Sequence, residues 1–277
     1  MRRLSGLFFA AFLFVGCAQI KDSDVANRYL TRLPGDLKLR EVGRQKYRFT
    51  CDYFNLDTTG NISSKERVTA EYTRHIEGDK ARWNNVTVAQ CDGSAQDFPP
   101  GQPLVFMEGL TYRPPGPTDA LPHDFFSEFP PGAAHERNLV WDTHMIEAFG
   151  QGFFAKLSLN TPHHVAPAEV PLAGAGTLQN TDIQLTWTGI SQKNQQMCAL
   201  IHYQVFFNKL RISMPEMGLA GRSHSWGDIW VSLATKQIEY ATLYEDVLGE
   251  FTTDTYPSAR VVNTFRSGVL ERSAQPQ

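Results

Sequence analysis

Residues 47–53 read YRFTCDY. Tyr47, Phe49, Cys51 and Tyr53 take every second position, with Arg48, Thr50 and Asp52 between them. This is the period of a β-strand that buries one face and wets the other.

Outward from this stretch, DTTG at 57–60 reads as a turn and 64–75 as a second strand. EGDK at 77–80 then reads as a tight hairpin and 82–91 as a third strand. Regular hairpins set both Cys51 and Cys91 opposite Glu66, on either side of the middle strand, roughly 9.6 Å apart. A disulfide tolerates a Cα separation of only ~7 Å, so a bond between them needs a bulge or an early exit of Cys91 from the sheet. Spacing alone leaves that pairing open.

Residues 102–112 form a fourth strand candidate, and RPPGPT at 113–118 marks a loop. The middle of the chain changes character. LPHDFFSEFPPG at 121–132 fits one or two helical turns between prolines, carrying Phe125, Phe126 and Phe129. LVWDTHMIEAFG at 139–150 sets Trp141, Met145, Ala148 and Phe149 on one helical face, with Gly150 as a stop. Residues 160–176, rich in Pro, Ala and Gly, read as a connector.

Alternation returns at Ile183, Leu185 and Trp187, at Ile201, Tyr203, Val205 and Phe207, at Ile229, Val231 and Leu233, and at Ile238, Tyr240, Thr242 and Tyr244. A segment at 260–270 closes the series. The expected fold is therefore mainly β: an antiparallel curved sheet or open half-barrel in a single domain, 44–272, with a short helical insertion at 119–157. The last residues, 273–277, read as frayed.

The N-terminus carries a different signal. Arg2 and Arg3 precede an uncharged, mostly apolar run at 4–15, then Gly16 and Cys17. A dozen residues suit a signal-peptide core and fall short of the roughly 20 needed to span a bilayer. FVGC at 14–17 resembles the lipobox of bacterial lipoproteins, with Phe14 where a smaller aliphatic residue is usual. The resemblance implies cleavage after residue 16, lipidation of Cys17 and a membrane anchor, followed by a tether over 17–43 with a short helix near 24–33. Ala18, in place of Asp, implies the periplasmic face of the outer membrane. A plain secretory signal is the alternative.

Removal of residues 1–16 leaves 261 of 277 residues, with 24 basic and 29 acidic side chains and no basic block. That balance excludes the electrostatic footprint of a nucleic-acid binder. Besides Cys17 three cysteines remain, Cys51, Cys91 and Cys198. They are too few and too scattered for a metal knuckle, and their odd number leaves a thiol unpaired.

Three clusters offer chemistry. Asp142, His144 and Glu147 have the side chains of a metal or acid/base site, but on a helix they do not converge; Asp142 reads as an N-cap, with His144 and Glu147 on the wet face. His163 and His164 sit in the connector without a third ligand. GRSHSWGD at 221–228 offers Ser223, His224 and Asp228, the residue types of a hydrolase triad, without the G-x-S-x-G turn that makes such a serine reactive. No nucleotide, metal or cofactor motif is present, so no cofactor or metal is expected.

The aromatics of the insertion have the best claim to function. Most aromatics at such density are core. The sharper expectation makes the insertion a lid on a concave sheet, with Phe125, Phe126, Phe129, Trp141 and Phe149 lining an apolar pocket. In element order this resembles the half-barrel carriers of lipoproteins and lipids. The expected function is that of a non-catalytic cell-envelope module binding a lipid, another apolar ligand or an envelope protein partner. An envelope hydrolase and a structural or assembly protein without a pocket are the alternatives.

Overall fold

The computed structural model describes residues 44–214, 217–254 and 258–273. The leader, Cys17, the tether with its helix over 24–33, and residues 274–277 lie outside the described residues.

Among the described residues thirteen strands form one open antiparallel sheet. The first three, β1 (Gln45–Leu56), β2 (Ile62–Arg74) and β3 (Ala81–Asp92), make consecutive hairpins. Two short strands, β4 (Gln102–Pro103) and β5 (Thr111–Tyr112), then pair with β3. The continuous strand expected over 102–112 is broken by a 3₁₀ turn at Val105–Met107. Pro103 lacks the N–H that would extend the ladder.

The first turn is held as its sequence implies. The Asp57 carboxylate accepts hydrogen bonds from the Thr59 and Asn61 backbone N–H groups at 2.8 and 2.9 Å. These donors, with the Thr59 and Asn61 side chains, hold its pKa well below the ordinary carboxylate value.

After the insertion come β6 (His163–Val165), β7 (Ala168–Pro171), β8 (Gly176–Asn180) and β9 (Asp182–Lys193). Two of these short strands lie in the stretch expected to be a plain connector. Then follow the long strands β10 (Gln196–Met214), β11 (Met217–Ser232), β12 (Ile238–Thr253) and β13 (Arg260–Arg272). β13 pairs with both β12 and β1, joining the two halves of the chain in one sheet.

One face of this sheet is apolar across every long strand. Phe49 of β1 lies opposite Leu270 of β13 and Ala70 of β2, and Leu270 lies opposite Ala241 of β12. Tyr72 pairs with Trp83, their ring centroids 4.6 Å apart, and both are fully buried. Side chains of this size each contribute ~1.5–3 kcal/mol on burial. The opposite face carries an aromatic row across five strands, through Phe54, Phe265, Tyr244, Trp226 and Phe206.

The helix α1 (Ala134–Glu147) lies against the apolar face and continues through a π-helical turn, Ala148–Gly152, and a 3₁₀ turn, Phe154–Lys156. Residues 121–132 are successive hydrogen-bonded turns. Gly150 does not stop the helix; it lets the backbone touch the sheet. A Cβ there would sit 3.0 Å from the Ile229 methyl and 3.3 Å from that of Val231.

The helix starts eight residues before Asp142, so Asp142 is not an N-cap. It is buried in mid-helix, and Glu147, expected on the wet face, is buried as well.

Cys51, Cys91 and Cys198 are free. Cys51 lies opposite Val68 and Cys91 opposite Lys65, three positions apart along β2 and therefore on opposite faces of the sheet. The regular-hairpin register, with both opposite Glu66, does not form.

Candidate functional site: a groove between sheet and helix

Strands β10 to β13 run on beyond the part of the sheet that α1 covers. Their apolar face there stays open, and with α1 it walls a groove of about 660 Å³. Small-molecule pockets span ~300–1,000 Å³.

A bulge positions the sheet wall. Between Val205 and Asn208 the pairing of β10 with β11 slips by one residue. Phe207 takes a left-handed φ of 58° and is 69% exposed. Strict alternation from Val205 turns Phe207 inward and Leu210 outward. The extra residue instead returns Asn208, Leu210, Ile212 and Met214 to the inner face. They lie opposite Ser223, Gly221, Leu219 and Met217.

Gly221 also faces Gly249 of β12, and a Cβ on Gly221 would lie 2.3 Å from the Leu248 carbonyl oxygen. These strands approach too closely for a side chain there, and paired glycines let the sheet bend around the groove.

The helix wall is the row Ala134, Asn138, Trp141, Met145 and Ala148, the i, i+4, i+7 spacing of one face. A loop through Pro117 and Leu121 bounds one side, and Val170, Leu172 and Ala175 bound another.

At its deep end the groove has a charged floor. Arg266 of β13 donates to Asp142 of α1, and to Glu245 of β12 at 2.5 Å. Its guanidinium carbon lies 5.0 Å from the centre of the Tyr53 ring. Burial opposes the charge on Arg266, but Asp142, Tyr53 and Glu245 outweigh it and hold its pKa well above the ordinary value. Burial pushes Asp142 up to about 6, with Arg266 pulling down and Glu245 pushing up. Asn138 donates to the Tyr53 hydroxyl at 3.4 Å, and His135 contacts Glu66 at 2.8 Å. The His135 hydrogen bond lowers the Glu66 pKa.

Of the five aromatics expected to line a pocket, Trp141 and Phe149 do so. Phe125, Phe126 and Phe129 pack on one another, on Trp141 and on Phe106, ring edge to face, behind the helix wall. They support Trp141 from the far side.

The other clusters are dispersed. Asp142 binds Arg266, His144 contacts the Asp119 carbonyl at 2.7 Å, and Glu147 accepts from Tyr72 at 3.2 Å. Ser223 is buried on the inner face, while His224 projects from the opposite face beside Arg222, and Asp228 contacts His202 at 3.1 Å. His163 and His164 lie on β6, where His164 contacts Asp182 at 2.8 Å. Among the described residues, no group of three or more His, Cys, Asp or Glu side chains could hold a metal ion.

No protein-family model and no curated protein matches the chain.

Proposed function

We propose that this protein is a lipid-anchored carrier of the cell envelope that holds an apolar ligand in the groove between sheet and helix. The observation that carries this reading is the groove itself. Leu210, Ile212, Met214, Met217 and Leu219 present an apolar wall that no element of the described chain covers. Apolar surface left in water costs ~25 cal/mol per Å², and a soluble ligand chain laid along it recovers that free energy. The lipobox-like FVGC at 14–17 supports attachment at a membrane, where such ligands reside.

Native mass spectrometry of the full-length protein, extracted gently from the membrane fraction, tests the reading. It expects a copurifying lipid mass and an N-terminus that begins at a lipidated Cys17. A protein that stays free of ligand when incubated with total lipid extract would overturn the carrier assignment. An intact, unmodified residue 1–16 segment would overturn the anchor.

A further inference from the structure

The helix wall of the groove carries an unusual row. Arg137, Trp141 and His144 stand at i, i+4 and i+7 on α1, so they are neighbours along one face, and all three line the groove. Each has a buried polar atom with no hydrogen-bond partner: Nε and Nη1 of Arg137, Nε1 of Trp141 and Nδ1 of His144. Arg137 is only 6% exposed, and among the described residues its side chain makes one hydrogen bond, a long contact of 3.5 Å from Nη2 to the Pro130 carbonyl.

A buried guanidinium without an anion is costly even after relaxation. The carboxylates around the groove do not relieve it. Asp142 and Glu245 belong to Arg266, Glu66 belongs to His135, and Asp119 and Glu169 are exposed. Among the described residues Arg137 forms no ion pair.

We infer that Arg137, Trp141 and His144 form the headgroup site of the groove, and that the ligand is an amphiphile with an anionic head, a carboxylate or a phosphate, on an apolar tail. This rests on the carrier reading and makes it more specific. The guanidinium supplies the charge and unpartnered N–H donors at Nε and Nη1; these lie on different edges of the group, so an anion oxygen takes one of them. Trp141 Nε1 adds a neutral donor one turn along. His144 contacts the Asp119 carbonyl through Nε2, which therefore carries the proton in the neutral ring. In that tautomer its unpartnered Nδ1 is an acceptor, suited to an O–H of the head or to a bridging water. The tail then lies on Leu210, Ile212 and Met214.

The test compares hexadecanoate, hexadecyl phosphate, hexadecanol and inorganic phosphate by calorimetry on the full-length protein, as wild type and as Arg137→Gln, Arg137→Lys and Trp141→Phe. Wild type is expected to bind both alkyl anions at least tenfold more tightly than the alcohol, with the tighter of the two naming the headgroup. Arg137→Gln is expected to weaken both alkyl anions at least tenfold and so abolish that preference, Arg137→Lys retains part of it, and Trp141→Phe loses a few-fold.

Equal affinity for acid and alcohol, or an Arg137→Gln protein that keeps the anion preference, overturns the headgroup site while the carrier reading stands. If no alkyl ligand binds, the carrier reading fails first. Inorganic phosphate binding as tightly as hexadecyl phosphate overturns the amphiphile and leaves an ion site. Thermal unfolding of Arg137→Gln within a few degrees of wild type shows that a lost preference is not lost fold.

Discussion

Arg266 reaches from β13 to donate to Asp142 in the middle of α1, and it holds Glu245 of the neighbouring strand with its other terminal nitrogen. This ties the helix to the sheet at the deep end of the groove. A buried cation shared by two carboxylates is a positioning device more than a source of net stability.

Removing the cation alone should therefore be severe. Arg266→Leu leaves the buried Asp142 carboxylate and the partly buried Glu245 without their cation and is expected to cost ~3–5 kcal/mol in urea unfolding. Adding Asp142→Leu to the same protein should recover part of that loss. A single-variant loss below about 1 kcal/mol, on the scale of an exposed pair, would show that the pair is solvated.

The same network sets a pH dependence. Asp142 titrates at about 6 in the folded protein against an ordinary value of 3.8, so folding favours its protonated form. Its contribution to stability is present in full below the ordinary value and is lost as pH rises through about 6. At ~1.4 kcal/mol per pKa unit the swing is on the order of 3 kcal/mol. Asp142→Asn, which mimics the protonated side chain, should lack this swing, so the gap between the two urea stability curves changes from pH 4 to 7. Parallel curves, or a wild type that gains relative to the variant as pH rises, would reverse the assignment.

Phe207 supplies a local test of the bulge. A left-handed φ costs a non-glycine residue ~1–2 kcal/mol, and Phe207 is mostly exposed. Phe207→Gly should leave stability unchanged or raise it by up to ~1 kcal/mol in spite of glycine's larger loss of chain freedom. A loss above 2 kcal/mol would mean that the ring contacts to His224 and Phe206 matter more than the backbone.

That bulge also marks where alternation stops being legible. From Tyr47 to Tyr53, and again from Ile183 to Trp187, a period of two marks strands whose inward residues are indeed buried. At Phe206, Phe207 and Asn208 the extra residue breaks the period, so β10 reads as ending there, although Leu210, Ile212 and Met214 alternate just beyond. The Asn85 bulge, with φ at 52°, hides the register of β3 in the same way and with it the separation of Cys51 from Cys91.

The helix start was obscured because Ala133 offers no capping side chain. In the sequence Asp142 therefore reads as the cap, and Arg137 falls outside the helix expected over 139–150. Its lack of an ion pair among the described residues and the tie between Asp142 and Arg266 depend on contacts distant in sequence, and no spacing rule reports those.

The cysteines give a chemical check of the register. Burial pushes the Cys51 and Cys198 thiols up to about 12, while Cys91 is partly exposed on the other face. Alkylation of the native protein followed by peptide mapping should modify Cys91 and spare Cys51 and Cys198 until denaturant is added. A disulfide-linked peptide joining Cys51 to Cys91 would contradict the strand pairing.

The groove is tested most directly by a neutral apolar fluorophore, N-phenyl-1-naphthylamine, titrated into the wild type, a Leu210→Asp/Ile212→Asp variant and a Phe207→Asp control. The first substitutions put charge on the inner wall and the control puts it on the outer face at the bulge. Saturable binding by wild type and control, weakened at least tenfold in the inner-wall variant, is the expected result. No saturable binding by the folded wild type, or equal binding by all three proteins, would show that the groove holds no apolar ligand.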